Sequence, residues 1–269
     1  MTERILLFIP AYNCAPQIPR VLAQLDPDVR ALITETIVVN NHSTDDTEEA
    51  ARAAMVASGA VAKILRNDDN YGLGGSHKAA FTYARENGFD YCIVLHGDDQ
   101  GSIRDLIPHL KAGAHREVDC LLGARFMKGS RLKGYSPFRT FGNHVFNLIY
   151  SVAAGRLIHD LGSGLNIYNV RKLDDAFFLK CANDLTFNYH MLLRSISAGW
   201  RIHFFPLEWR EDDQLSNVKL VRQALRVLGI AARYAFDRKG YLAADYAEPY
   251  RERYSSTIVF DAAKASTHI

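Results

Sequence analysis

The first half of the chain alternates short apolar runs with amphipathic segments. Continuous apolar runs predict buried strands at residues 5–9, 36–39, 61–65, 91–95 and 120–122. Apolar positions at helical spacing predict helices at residues 18–25, 44–58, 72–87 and 103–110. Because strands that alternate with helices favour parallel pairing, we predict an α/β fold around a mostly parallel sheet.

The pattern changes after residue 125. Residues 125–139 are basic and rich in Gly and Ser, which is typical of a mobile binding loop. Apolar helical stretches are predicted at residues 141–154 and 218–234. We therefore expect one large domain at residues 1–215, followed by a helical C-terminal extension and tail at residues 216–269.

The stretch at residues 218–234 combines an apolar stripe with basic side chains such as Lys219, Arg222 and Arg226. A helix of this kind can lie on a membrane surface. Packing against the large domain or a partner subunit explains the same pattern equally well. A peripheral membrane contact and a membrane partner protein therefore both stay as hypotheses.

Charge and cysteine content narrow the class of protein. The chain has 32 Lys and Arg against 30 Asp and Glu, a balance that gives no indication of nucleic acid as a partner. Its four cysteines form no C-x-x-C pair, which argues against a zinc site or a dithiol redox motif. Free thiols, no signal peptide and no apolar stretch of the ~20 residues that span a bilayer predict a cytoplasmic protein, soluble or peripheral at the inner face of the membrane.

Three polar loops follow predicted strands, at residues 10–14, 40–46 and 96–100. Ligands of open α/β sheets bind beyond the carboxyl ends of the strands, so we expect these loops to share one cleft. The last loop, HGDDQ, clusters oxygen ligands that suit Mg²⁺ or Mn²⁺. Such an ion neutralises charge on a departing diphosphate. From spacing alone, an acidic turn that caps a helix explains the loop equally well.

An ordered set of motifs resolves this choice. The set comprises PAYN at residues 10–13, VVNNHSTDDT at 38–47, NYGLGG at 70–75 and HGDDQ at 96–100. Together they resemble glycosyltransferase family 2, in particular its dolichyl/polyprenyl-phosphate mannose synthase branch. The resemblance extends to about residue 225 through GARF at residues 123–126 and DLGSG at 160–164. It implies the GT-A (Rossmann-like) fold and inverting transfer of a hexose from a nucleoside diphosphate sugar, with a divalent metal.

The resemblance also assigns residues to the donor site. Pro10, Tyr12 and Asn13 would line the base pocket, and Asn41 would face the nucleoside. The family usually has Asp-Asp where this chain has Asn40 and Asn41, which leaves the preferred base open.

At the metal motif the family has Asp-x-Asp, then one further residue and Gln. Asp98 and Gln100 match the second Asp and the Gln, whereas His96 replaces the first Asp. Histidine binds Mn²⁺ but suits Mg²⁺ poorly. Asp99 occupies a variable position and is interpreted as a solvated acid.

The same resemblance gives basic residues to phosphate groups. Arg125, Arg139, Arg210 and Lys219 would contact the donor diphosphate or an acceptor phosphate. The glycines at Gly72 and Gly75 lack the dinucleotide-binding spacing. They indicate either an anion site at a helix N-terminus or a tight turn that lets the helix approach the sheet.

The kind of acceptor is inferred from whether the sequence provides a catalytic base. Family members with saccharide acceptors often carry Glu-Asp before the late helix, where this chain has FNYH at residues 187–190. A phosphate acceptor is already ionised and needs no strong base, so a polyprenyl phosphate is favoured. The alternative is transfer to a saccharide or lipid hydroxyl, as in cell-surface polysaccharide synthesis, with His190 as the base. A histidine that only packs its helix is a third interpretation.

Two further classes remain as alternatives. A sugar nucleotidyltransferase would have a Gly-rich basic loop after the first strand, and residues 10–14 do not provide one. A degenerate, non-catalytic member that binds sugar nucleotides or a partner would explain the changes at Asn40, Asn41 and His96. The presence of Asp98 argues against it, as does that of Arg125 and Arg210.

Overall fold

The computed structural model describes residues 3–58, 61–211 and 220–265. Within these residues the strands are β1 (Ile5–Ala11), β2 (Glu35–Asn40), β3 (Ala62–Asn67), β4 (Tyr91–Leu95), β5 (Cys120–Ala124), β6 (Arg131–Lys133), β7 (Leu165–Asn169), β8 (Ile202–Pro206), β9 (Glu208–Arg210) and β10 (Ser256–Asp261). The helices of the same ranges are α1 (Ile18–Ala23), α2 (Pro27–Arg30), α3 (Thr47–Ser58), α4 (Gly72–Glu86), α5 (Ile107–Lys111), α6 (Pro137–Ala154), α7 (Phe187–Ser197), α8 (Leu220–Phe236), α9 (Arg238–Ala243) and α10 (Ala262–Ala265).

The central sheet has the strand order β10-β3-β2-β1-β4-β7-β5-β8. Strands β3, β2, β1 and β4 are parallel, as are β5 and β8. Strand β7 runs antiparallel between β4 and β5, and β10 runs antiparallel along β3. Strands β6 and β9 form a separate parallel pair. This sheet confirms the predicted α/β class and the mainly parallel GT-A arrangement.

The sheet is covered by helices on both faces, which explains the continuous apolar runs. Every residue of β1 is buried. Leu6 and Phe8 point into the core shared with α4, α6, α7 and α8, whereas Leu7 and Ile9 point into the core shared with α1 and α3. Because neighbouring side chains of a strand face opposite sides of the sheet, a strand buried on both faces loses its polar alternation.

Strands β7, β8 and β10 were not predicted. Strand β7 has the sequence LNIYN, and its Asn166 is buried with its amide donating to the Ser163 carbonyl at 3.0 Å. A buried but satisfied asparagine interrupts the apolar pattern without disrupting the strand. The chain therefore inserts an antiparallel strand between β4 and β5.

Part of the C-terminal segment returns to the main sheet. Strand β10 pairs with β3 as the edge strand. Lys78 of α4 donates to the Tyr254 hydroxyl at 3.0 Å, which attaches the segment before β10. The predicted boundary between residues 215 and 216 lies outside the described residues. Among the helices that the structure describes, none is both long and apolar enough to cross a membrane.

Candidate active site

The loop at residues 96–100 is attached directly to the end of β1. Strands β1 and β4 are parallel neighbours, so their carboxyl ends meet. The Gly97 amide donates to the Pro10 carbonyl at 3.0 Å, and the His96 amide donates to the Gly164 carbonyl at 2.9 Å. A Cβ atom on Gly97 would lie 2.8 Å from the Pro10 oxygen, so a larger residue could not approach as closely. The loops at residues 10–14 and 96–100 thus start side by side, at adjoining strand ends.

A cleft of about 480 Å³ opens above this loop. His96, Asp98 and Gln100 contribute to its lining, together with Arg125 and Arg139. Helices α6 and α8 supply much of the remaining wall, through Phe138, Gly142, Asn143, Phe146, Gln223, Ala224 and Val227. The structure thus brings five of the predicted site residues into one cavity.

Asp98 is a partly buried carboxylate. Its Oδ1 accepts the Gln100 amide at 3.2 Å, and its Oδ2 lies 4.0 Å from His96 Nδ1. Burial raises the pKa of the Asp98 carboxyl to about 6. Burial and the positive charge of Arg125 lower the pKa of His96 to about 4, so the imidazole is neutral at physiological pH and its Nδ1 can act as a ligand.

The residues present fit a divalent cation, and Mn²⁺ better than Mg²⁺. One carboxylate, one amide oxygen and one imidazole form a mixed oxygen and nitrogen donor set. Gly164 makes room for the imidazole, because a Cβ atom there would lie 2.8 Å from His96 Cγ. In the described part of the chain, no three His, Cys, Asp or Glu residues cluster as a complete metal site. Water and substrate oxygens would have to complete the coordination.

Asp99 is not the solvated acid that was expected. Its side chain is only 8% exposed and accepts from Arg20 Nε at 2.7 Å and Arg210 Nη2 at 3.3 Å. Gln24 Nε2 donates to Asp99 Oδ1 at 3.2 Å. Both arginines compensate its charge, which explains why the carboxylate can be buried.

Arg125 lines the cleft, but its guanidinium already has a partner. It forms a bidentate pair with Asp160, with both N–O distances at 2.9 Å, and also donates to the Gly162 carbonyl. The Asp160 side chain is 1% exposed. A fork held in this way presents an oriented and partly neutralised charge to the cleft.

The other predicted phosphate ligands are placed differently. Arg139 lines the cleft, pairs with Glu211 and stacks over Tyr135 with 4.5 Å between the guanidinium carbon and the ring centre. Arg210 instead lines a neighbouring groove of about 330 Å³, where it pairs with Asp99. Lys219 lies outside the described residues.

The predicted nucleoside ligands lie beside the cleft, not in its lining. Tyr12 is 49% exposed. Asn13 has φ +47° and accepts the Thr44 amide at 2.8 Å, which joins the loops after β1 and β2. Asn41, predicted to face the nucleoside, is buried: its amide donates to Asn70 Oδ1, and its oxygen accepts from the amides of two neighbours. Asn41 therefore braces the loop and has little capacity left for a nucleoside.

The contacts of the turn at Gly72 to Gly75 favour the interpretation as a tight turn that packs the helix. The amides of Gly74 and Gly75 both donate to the Asn183 carbonyl, at 2.7 and 3.2 Å. Gly72 has φ +71°, and a Cβ atom there would lie 2.4 Å from the same carbonyl oxygen. The helix N-terminus is thus already occupied by a backbone acceptor.

His190 does not line the cleft and is not placed to act as a base. Its Nδ1 lies 2.7 Å from the Tyr241 hydroxyl, and its ring stacks against Tyr241 and Tyr246. Burial lowers its pKa to about 3. Its contacts support the interpretation as a packing histidine that holds α7 against the C-terminal segment.

Sequence reasoning missed the apolar side of the cleft. Tyr189 and Trp209 line the cleft together with the polar Asn188, and the half-exposed Leu185 also borders it. The guanidinium carbon of Arg125 lies 5.0 Å from the Trp209 ring centre, so the Trp209 ring forms a cation–π contact with Arg125. The apolar stretch at residues 141–154 was the available signal, but it does not show which of its faces borders a cavity.

Comparisons with known proteins agree on the family. The model of the family described as Glycosyl transferase family 2 matches residues 7–177. Glycosyltransferase AglD of Haloferax volcanii is 25% identical over 225 residues, covering 82% of this chain and 35% of AglD. Dolichol-phosphate mannosyltransferase of Pyrococcus furiosus is 25% identical over 136 residues, covering 51% of this chain and 37% of that enzyme. The chain spans about a third of the length of these relatives.

Solved structures support the fold. Glucosyl-3-phosphoglycerate synthase from Mycobacterium tuberculosis, in complex with Mn²⁺, UDP and phosphoglyceric acid, has a TM-score of 0.63 at 15% identity, over 90% of this chain and 79% of its own. S. aureus TarS 1–349, in complex with UDP-GlcNAc, has a TM-score of 0.57 at 16% identity, over 89% of this chain and 69% of its own. Because the family model matches more than half of the sequence, this chain belongs to glycosyl transferase family 2.

Proposed function

We propose that the chain is an inverting, metal-dependent hexosyltransferase that uses a nucleoside diphosphate sugar. The observation that carries the proposal is the single cleft in which Asp98, Gln100 and His96 lie opposite an apolar wall, with Arg125 and Arg139 beside them. The solved relatives were crystallised with UDP or UDP-GlcNAc, one of them together with Mn²⁺, which supports a nucleotide-sugar donor and a divalent cation.

On the donor side, Asp98, Gln100 and His96 would hold the cation, which supplies positive charge next to the leaving diphosphate. Arg125 keeps its orientation through Asp160 and contributes a fixed positive edge. Arg139 would exchange its partly buried pair with Glu211 for a phosphate group. The base would stack near Tyr12 and Asn13, beside Pro10 at the end of β1.

For the acceptor we propose a polyprenyl phosphate. Among the described residues that line the cleft, Asp98 is the sole carboxylate, and metal binding would occupy it. A phosphate acceptor needs no further base, whereas a hydroxyl acceptor does. Phe138, Phe146 and Val227 give the cleft an apolar wall that suits an isoprenoid chain. A saccharide or lipid hydroxyl is the second candidate.

We further propose that the outer face of α6 and α8 rests on an anionic membrane surface. Phe138, Phe141 and Val152 of α6 are 78%, 68% and 76% exposed, and Val221 and Leu225 of α8 are 75% and 65% exposed. The exposed basic side chains Arg222, Arg226 and Arg233 belong to the same helix, α8. An apolar face with a basic flank matches the interface between acyl chains and anionic headgroups. The same two helices form the cleft wall, so a lipid acceptor could enter from that surface.

A thermal-shift screen tests the donor site. UDP-, GDP- and dTDP-hexoses are added to the wild-type chain with and without Mn²⁺. One nucleotide sugar is expected to raise Tm, and to raise it further with Mn²⁺, because a ligand that binds only the native state stabilises it. In Asp98→Asn the Mn²⁺-dependent part should disappear. A wild-type protein whose Tm none of the nucleotides changes would refute the donor site.

Acceptor class is tested with the donor found in this screen. Radiolabelled sugar should pass to a short-chain polyprenyl phosphate but not to the matching polyprenol. Transfer to the alcohol, or to a saccharide alone, would favour the second candidate.

A further inference from the structure

The turn that carries Asp98 contains an unusual backbone conformation. Asp99 has φ +59°, in the left-handed region that residues other than glycine rarely adopt. Such a conformation costs about 1 kcal/mol or more in a residue with a side chain. It persists only where surrounding contacts hold it, so the contacts of Asp99 decide how this turn is fixed.

Those contacts come from two separate elements. From α1, Arg20 donates to Asp99 Oδ2 at 2.7 Å and Gln24 donates to Oδ1 at 3.2 Å. From β9, Arg210 donates to Oδ1 at 3.3 Å, and its amide donates to the Gln100 carbonyl at 2.9 Å. A carboxylate between two guanidinium groups forms charge-assisted bonds that are stronger than neutral ones.

Gln24 extends the same connection along the loop. Its oxygen accepts the Ile103 amide at 3.0 Å, and its nitrogen also approaches the Gly101 carbonyl at 3.4 Å. Gly101 in turn forms an isolated bridge with Trp209. The backbone on the carboxyl side of Asp98 is therefore tied to α1 and β9 at successive positions.

We infer that Asp99 is a positioning residue, which acts through this turn to aim Asp98 and Gln100 into the cleft. Arg20, Gln24 and Arg210 act with it. Arg210 therefore supports the turn through Asp99 and Gln100 and does not act as a phosphate ligand. The side chains of Asp99 and Arg210 face the neighbouring groove, whereas Asp98 and Gln100 face the cleft. The effect of Asp99 on metal binding rests on the proposed metal-dependent transfer. Its role in holding the turn does not depend on that proposal.

The test compares Asp99→Asn, Asp99→Gly and Arg20→Gln with Arg116→Gln as the matched control. Asparagine tolerates φ above zero but removes the charge, and glycine removes both the side chain and the backbone cost. Arg116 pairs with Glu3 at 2.7 Å on an exposed surface, so its loss removes an Arg–carboxylate pair remote from the turn.

Two measurements are made on each variant. Hydrogen exchange followed by mass spectrometry should show faster exchange in residues 96–102 for the Asp99 and Arg20 variants and not for the control. The Kd for Mn²⁺ in the presence of UDP, measured by electron paramagnetic resonance, should rise about tenfold in the Asp99 variants, the usual scale for losing a group that orients a metal ligand.

Unchanged exchange in residues 96–102 together with an unchanged Mn²⁺ affinity in both Asp99 variants would overturn the inference. Local exchange that increases while Mn²⁺ affinity stays at the wild-type value would overturn the link to Asp98. If the wild-type chain itself binds no Mn²⁺ with UDP, the proposed function fails, and the exchange data still decide whether Asp99 fixes the turn.

Discussion

At the scale of single residues, burial of the Asp98 carboxylate lowers the stability of the metal-free protein. Burial raises its pKa from 3.8 to about 6, so the folded protein disfavours the charged form. The free energy of unfolding of the metal-free protein therefore falls as pH rises from about 4 to about 6, and stays reduced above that range. A bound cation would reverse this effect by favouring the charged form.

Replacing Asp98 by Asn removes this cost. A shift of about two pKa units corresponds to at most ~3 kcal/mol. Because 26% of the side chain remains exposed, we expect a gain of about 1–2 kcal/mol at pH 7.5 without metal. The measurement is urea unfolding at pH 7.5 and at pH 4, where the difference from wild type should largely vanish. An Asn variant that is less stable than wild type at pH 7.5 would contradict this account.

At the scale of elements, the start of α4 shows how a glycine turn serves packing. The Gly74 amide donates to the Asn183 carbonyl at 2.7 Å. A Cβ atom on Gly74 would lie 2.1 Å from the Ala182 carbonyl oxygen and 2.8 Å from Phe187 Cβ. Since neither the backbone nor the buried Phe187 can move cheaply, this helix start is fixed against the loop before α7.

We therefore predict that Gly74→Ala lowers the free energy of unfolding by about 2–4 kcal/mol through overpacking. Gly229→Ala is the matched control, because Gly229 is exposed within α8 and a Cβ atom there meets no described atom within 4 Å. The control should gain about 0.5–1 kcal/mol from helix propensity. Denaturant unfolding of both variants measures the difference. Equal stability of the two variants would show that the contact with residues 182–187 is loose.

At the scale of the whole molecule, the two faces of the sheet differ in what they expose. The face that carries α1 and α3 exposes few large apolar side chains, among them Val56 at 64%. The face that carries α6 and α8 exposes more of them, including Phe138, Phe141, Leu148, Val152, Val221 and Leu225. If the proposed membrane contact forms, this asymmetry predicts that the face with α6 and α8 is the one that meets the lipid.

A matched pair of valines tests that orientation. Val152→Glu on α6 should weaken binding to phosphatidylglycerol vesicles about tenfold, because it removes apolar burial and adds a charge that anionic lipid repels. Val56→Glu on α3 should bind as wild type, although its side chain is exposed to a similar degree. Co-sedimentation with vesicles measures both. Equal loss in the two variants, or no binding by the wild-type chain, would refute the proposed membrane face.

The alternation of apolar runs and helical spacing was sufficient for the fold class and for strands β1 to β5. It failed for β7, where Asn166 is buried, and for β10, whose pairing with β3 joins residues nearly two hundred positions apart. Local patterns record which side chains are apolar, and they contain no information on which distant strand satisfies an open edge.

The sequence by itself determined the family, the position of the loop at residues 96–100 and the chemical type of the side chains in that loop. Residue type and order express these properties directly. The tertiary structure decided which of the candidate side chains are already paired with another part of the protein. Asp99 forms ion pairs with Arg20 and Arg210, and Arg125 forms one with Asp160. His190 packs in a tyrosine cluster and contacts the Tyr241 hydroxyl. Pairing depends on distances of a few ångströms between remote segments, so only the folded chain separates a group that faces the cleft from one that holds the cleft in shape.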